Sequence, residues 1–204
     1  MRQGRRGHII LSFFGLGTWL LLYPLAADPA WAQLREVGEA GWSDGFAHPF
    51  SGIDHVLCMT AVGVWAVQIG RRGLFLLPLS FTLLMAGGGW LAGVGLALPG
   101  AADGVALSVA VLGVVLAVAA RPPLPVAIAV VAGFGLAHGY VDGVEMPATA
   151  RPSLYAAGLL LATVMLEVAG MAFGLAAQSP LGQRLLPIGA AAVAGLGVTL
   201  MLAL

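Results

Sequence analysis

Six long apolar stretches dominate this chain and leave few folds open to it. They cover residues 46–69, 74–96, 105–120, 125–139, 154–176 and 185–204. A helix needs about 20 apolar residues to cross a bilayer, because every backbone polar group has to be satisfied within the segment. Only 9% of the residues are charged, whereas a soluble domain usually carries about a quarter. The sequence therefore predicts an all-α, polytopic transmembrane helix bundle with about six spans.

The first 32 residues have the composition of a secretory signal peptide. Arginines precede an apolar run over residues 9–22, and the small residues Ala30 and Ala32 stand where a signal peptidase would cleave. We expect a cleaved signal peptide over residues 1–32, with a retained anchor helix as the alternative. Residues 33–204 would then form a single transmembrane domain that starts outside the cytoplasm.

The charges between the spans predict the orientation of the bundle. Four arginines lie in alternate loops: Arg71, Arg72, Arg121 and Arg184. Since arginine-rich loops stay in the cytoplasm, these loops should face inward. The remaining loops hold mostly acidic residues: Asp103, Asp142, Glu145 and Arg151. We therefore expect a protein of the inner membrane with both mature termini in the periplasm, an arrangement compatible with a 3+3 inverted repeat.

A first polar cluster, His48, Asp54 and His55, lies at the start of the first span. Seven residues separate the histidines, so one continuous helix would place them on one face, two turns apart. Pro49 suits a first helical turn, which would make His48 the N-cap, with His55 about 9 Å deeper in the membrane. Imidazole and carboxylate groups are ligands of divalent transition metals, and Asp54 could either bind the ion or orient an imidazole.

A second cluster, His138, Asp142 and Glu145, closes the fourth span. Spacings of four and three residues would align these side chains on one helical face. Gly139 and Gly143 make a bent or re-entrant end an equal alternative to a continuous helix, and a polar outer loop is a third.

Glu167 lies near the middle of the fifth span, where a carboxylate is most costly. It must be protonated, paired or metal-bound, and a structural hydrogen bond from a neutral carboxyl is the alternative to a functional role. Cys58 and Met59, close to His55, could add sulfur ligands, but packing is the favoured interpretation.

These motifs resemble those of the HupE/UreJ family of small membrane proteins. The first signature, His-Pro-x-x-Gly-x-Asp-His, is present from His48 to His55. The second, roughly Phe-His-Gly-x-Ala-His-Gly-x-Glu, is kept only in part, from His138 to Glu145. Asp142 replaces the second histidine of that motif, and Glu167 stands where the fifth span of such proteins usually carries a histidine.

The resemblance implies a secondary permease that imports Ni²⁺, or Co²⁺, from the periplasm. The ion would be the substrate, bound by seven side chains: His48, Asp54, His55, His138, Asp142, Glu145 and Glu167. Because two imidazoles of the family pattern are carboxylates here, Mn²⁺ and Fe²⁺ stay open, as do copper and zinc. The chain lacks a Walker sequence and a basic stripe, so we expect no resident cofactor and no nucleic-acid partner.

Two other functions remain open. An intramembrane metalloenzyme could activate water on zinc, although the sequence contains no His-Glu-x-x-His motif, so an enzyme is the less favoured interpretation. A metal-delivery accessory protein would bind the ion without transporting it. Thirty glycines allow close helix packing, including a homo-oligomer in the bilayer.

Overall fold

The computed structural model describes residues 41–203, and within that range all regular secondary structure is helical, with no strand. The seven helices are α1 (Trp42–Ser51), α2 (Ile53–Ile69), α3 (Gly73–Gly93), α4 (Ala101–Ala117), α5 (Leu124–Val144), α6 (Pro152–Ala176) and α7 (Pro180–Leu202). The expected signal peptide lies outside the described residues and stays a prediction.

The helices correspond to the predicted spans to different degrees. Helices α3, α5, α6 and α7 are long and apolar enough to cross a membrane. Helices α1 and α2 together make a fifth candidate span, but they meet at an angle of 85°. Helix α4 is apolar and has only 17 residues. The all-α membrane bundle is thus confirmed, while the inverted repeat stays a prediction.

The first expected span is broken, where we predicted one continuous helix. Helix α1 ends at Ser51, Gly52 is extended (φ −109°, ψ 124°), and α2 begins at Ile53. Pro49 lies inside α1 rather than in a first turn, so the predicted N-cap position of His48 is wrong. A side chain at Gly52 would crowd the residues that follow, since its Cβ would lie 2.5 Å from Asp54 Oδ1.

Helix α5 runs unbroken through His138 and Asp142 to Val144, so the bent or re-entrant end considered for it is wrong. Three of its four glycines, Gly135, Gly139 and Gly143, face α3, and a Cβ at Gly139 would overlap the backbone carbonyl of Met85. The contacts advance in step along both helices: Gly135 with Phe81, Gly139 with Met85, and Gly143 with Gly89. Helices α3 and α5 therefore run parallel, and small residues let their backbones approach closely, as is common in membrane bundles.

The remaining helices complete the bundle. Helix α6 packs on both α1 and α2, and α4 packs on α7. Buried apolar side chains from α2, α3, α4 and α5 form the centre of the core, among them Trp65, Phe81, Leu112 and Val131. Because α2 begins where α5 ends, the two polar clusters meet at one end of the bundle.

Candidate metal site

The bend between α1 and α2 brings both histidines of the first cluster against a carboxylate of the second. His48 Nε2 lies 3.1 Å from Asp142 Oδ1, and His55 Nε2 lies 2.7 Å from the same oxygen. The imidazole centroids are 5.5 Å apart, with the rings perpendicular. The prediction that the histidines share one face of a single helix, two turns apart, is wrong, because they project from two helices toward one point.

His48, His55 and Asp142 have the spacing of ligands around one ion. One ligand atom from each lies within 4.8 Å of the other two. Adjacent ligands around an ion with bonds of about 2.1 Å are about 3 Å apart, close to the two distances to Asp142 Oδ1. Asp142 is completely buried, and its Oδ2 has no hydrogen-bond partner within the described range. The expectation that Asp142 lies in an outer loop is therefore wrong.

Asp54 orients His55. Its Oδ1 lies 2.9 Å from His55 Nδ1 and accepts a hydrogen bond from the His55 backbone N–H at 2.9 Å. A carboxylate on the far nitrogen of an imidazole fixes its ring orientation and leaves the other nitrogen for a metal. Of the two roles considered for Asp54, the orienting one fits this geometry.

Both nitrogens of His55 face carboxylate oxygens, one from Asp54 and one from Asp142. Ionised carboxylates only accept hydrogen bonds, so this arrangement suits an imidazolium with a proton on each nitrogen. A metal ion bound at Nε2 would take the place of one of these protons.

His138 lies next to this group and offers a free nitrogen. It is completely buried, and its ring centroid is 4.8 Å from that of His55. Ser108 Oγ donates to the carbonyl of Val105 at 2.6 Å, so it accepts from His138 Nε2 at 3.1 Å. With the proton on Nε2, Nδ1 carries a lone pair, and it has no partner among residues 41–203.

The remaining predicted site residues lie farther out or deeper. Glu145 caps α5, its side chain is 57% exposed, and its Oε2 is 3.6 Å from His48 Nε2. Glu167 is buried on α6 and accepts a hydrogen bond from Thr82 Oγ1 at 3.0 Å, outside the three-residue group. Cys58 and Met59 lie in the hydrophobic core, as the packing interpretation expects.

Several residues that contact the site have no signal in the sequence. Tyr155 is buried, and its ring centroid is 5.9 Å from that of His48. Ser108 and Thr82 hold His138 and Glu167, yet hydroxyl residues in an apolar helix are common. Gly52 is different, since its position between the Pro49 and Asp54 of the motif could have suggested a break.

The comparisons with known proteins agree with the motifs. The sequence matches the model of the family described as "HupE / UreJ protein" over residues 20–200. "Protein HupE" of Rhizobium leguminosarum bv. viciae is 41% identical over 157 residues, which cover 77% of this chain and 82% of that protein. A search of solved structures finds no significant match.

Proposed function

This chain belongs to the HupE/UreJ family, and we propose that it is a secondary permease importing Ni²⁺, or Co²⁺, from the periplasm. The family is associated with nickel and cobalt transport or with accessory functions, and it is not a family of enzymes. The observation that carries the proposal is the convergence of His48, His55 and Asp142 on the space of a single ion.

The chemistry of this outer site, which we define as His48, His55 and Asp142, suits a transported divalent ion. Two imidazole nitrogens and one carboxylate oxygen match the preferences of first-row ions such as Ni²⁺ and Co²⁺. Cys58 does not belong to the group, so thiolate binding, which would favour Cu⁺ and hold an ion tightly, has no part in it. A few N and O ligands permit an ion to leave again, as conduction requires.

Loading of the outer site exchanges a proton, which is released to the periplasm, for the ion. Glu145 is exposed beside His48 and attracts the cation to the opening. His55 gives up its Nε2 proton and keeps its Nδ1 hydrogen bond to Asp54. Asp142 turns from its two histidine contacts to the ion, and the free Nδ1 of His138 is the next nitrogen on the way inward.

The ends of the helices support loading from the periplasm. The outer site lies where α2 begins and α5 ends, while Arg71 and Arg72 follow the end of α2 and Arg121 precedes α5. Since arginine-rich connections remain cytoplasmic, the site opens on the opposite side of the membrane.

Uptake of radioactive Ni²⁺ into proteoliposomes tests the proposal. The Asp142→Asn variant should lower uptake by about 100-fold or more, because the amide is a poor substitute for the shared carboxylate oxygen. Asp142→His supplies the ligand of the family motif at that position and should retain uptake. Binding without uptake by the unmodified protein would favour metal delivery, and normal uptake by Asp142→Asn would exclude the outer site.

A further inference from the structure

A second polar cluster lies deeper in the bundle, between α3 and α6. Thr82 Oγ1 donates to Glu167 Oε2 at 3.0 Å, and Thr163 Oγ1 lies 3.3 Å from Met85 Sδ. Thr82 and Met85 are three residues apart on α3, and Thr163 and Glu167 are four apart on α6, so each pair shares a helix face. We call these four residues the inner cluster.

The inner cluster contains an acidic oxygen without a partner. Glu167 is 1% exposed, and its Oε1 has no hydrogen-bond partner within residues 41–203. No arginine or histidine of that range forms an ion pair with it. A carboxyl group left unpaired in the middle of a membrane span is costly, and such groups mark ion pathways.

His138 connects the inner cluster with the outer site. Its ring contacts that of Phe81, the residue before Thr82, with centroids 5.7 Å apart. The register of α3 against α5 pairs Phe81 with residue 135, so Thr82 lies level with residue 136. That level is six residues, or about 9 Å, deeper than Asp142.

We propose that the inner cluster is a second binding site for the transported divalent cation, which reaches it from the outer site past His138. This inference depends on the proposed transport function. Glu167 Oε1 provides the charge, the hydroxyls of Thr82 and Thr163 provide neutral oxygens, and Met85 provides a thioether sulfur. Passage between two moderately strong sites is a general way to combine selectivity with release.

A proton and the cation alternate at Glu167. With the cluster empty, a proton on the carboxyl group avoids a buried negative charge. The arriving cation displaces this proton, which leaves past His138 to the periplasm, and a proton from the cytoplasm replaces the cation when it leaves in that direction. One proton is thereby exported for each cation imported at this step.

The Glu167→Gln variant tests the inner cluster, because glutamine keeps the volume and the acceptor for Thr82 and removes only the acidic oxygen. Uptake into proteoliposomes should fall by about tenfold or more, whereas Ni²⁺ affinity at the outer site should stay within about twofold. Uptake at the normal rate would overturn the inference. The wild-type protein and the Asp142→Asn variant are measured in the same assay. If the wild type transports and Asp142→Asn does not, normal uptake by Glu167→Gln would exclude the inner cluster alone and leave the proposed function in place.

Two further variants decide the question if Glu167→Gln does not fold. Thr163→Val combined with Met85→Leu preserves volume and should lower Ni²⁺ uptake, while shifting the ratio of Ni²⁺ to Mn²⁺ uptake toward Mn²⁺, since sulfur favours the softer ion. Thr199→Val is the matched control, because Thr199 donates to the carbonyl of Leu196 on α7, away from the cluster. An unchanged rate and an unchanged ratio in the double variant would contradict the inference.

Discussion

Gly52 permits the geometry of the outer site because it has no side chain. A Cβ there would lie 2.5 Å from Asp54 Oδ1 and 2.9 Å from His55 Nδ1, the two atoms that hydrogen-bond to each other. The backbone angles at Gly52 are accessible to any residue, so the requirement concerns the side chain and not the conformation.

Gly52→Ala should therefore separate Asp54 from His55 and weaken metal binding. We expect a loss of Ni²⁺ affinity of about 10- to 100-fold, the usual effect of losing an orienting partner of a metal-binding histidine. Isothermal titration of the purified protein measures this change. Gly93→Ala is the control, since nothing lies within 4 Å of a Cβ at Gly93. Equal affinities for the two variants would show that the Asp54 contact does not position His55.

If the outer site binds a metal ion as proposed, the protons on His55 should make that binding depend on pH. Both of its nitrogens face carboxylates, so a bound ion must displace a proton from Nε2. Ni²⁺ affinity should accordingly decrease as the pH falls, because the ligand is the neutral imidazole. Titration in buffers of different ionisation enthalpy counts the released protons, and we expect at least about one per ion. Binding without proton release would mean that His55 is not a ligand.

At the scale of the helices, the packing of α5 on α3 holds the site residues of α5 in position. Helix α5 carries both His138 and Asp142 on the part that packs on α3 through Gly139. A residue larger than glycine at position 139 would push α5 away from the carbonyl of Met85, and with it both site residues.

Gly139→Ala should lower the thermal stability of the protein in detergent. Forcing extra atoms into a packed interface costs about 1–3 kcal/mol, and here the obstacle is backbone, which gives way least. Gly133→Ala, on the same helix, places its methyl group in open space and should leave the melting temperature unchanged or slightly higher. A Gly139→Ala protein as stable as Gly133→Ala would refute close α3–α5 packing.

Apart from the break at Gly52, the sequence was sufficient to predict where the helices lie, to within five residues at each end, because an apolar run of membrane length has few other solutions. It did not reveal the 85° bend, since Gly52 interrupts an otherwise continuous apolar pattern and its effect depends on the Asp54–His55 contact. It also ended the fourth span at residue 139, because Asp142 reads as a loop residue until the histidines of α1 and α2 are placed beside it.

The polar residue types were predictable for a different reason. Charged groups in apolar segments are rare, so each candidate could be identified individually from the sequence. These residues are His48, Asp54, His55, His138, Asp142, Glu145 and Glu167. Which of them share an ion depends on how separate helices pack, and no spacing along the chain encodes that. The division into an outer site and a separate Glu167 therefore emerged only from the fold.

For the whole molecule, the outer site and four of the five described arginines lie at opposite ends of the bundle: Arg71, Arg72, Arg121 and Arg184 are at the far end, whereas Arg151 lies in the connection between α5 and α6. The connection between α5 and α6 is at the end that carries the outer site, and the connection between α6 and α7 is at the other, near Arg184. Import requires the first of these ends to face the periplasm. A measurement of the membrane topology is therefore also a test of the direction of transport, and this test can be made directly.

Labelling of single cysteines in spheroplasts with a membrane-impermeant thiol reagent measures the topology. The exposed residues Thr149 and Gln178 lie in the two connections, and the native Cys58 is fully buried and should not react. Thr149→Cys should be labelled from outside, whereas Gln178→Cys should react only after the membrane is permeabilised, because the arginine-rich end remains cytoplasmic. The reverse pattern would turn the outer site toward the cytoplasm and make the protein an exporter or a cytoplasmic metal donor.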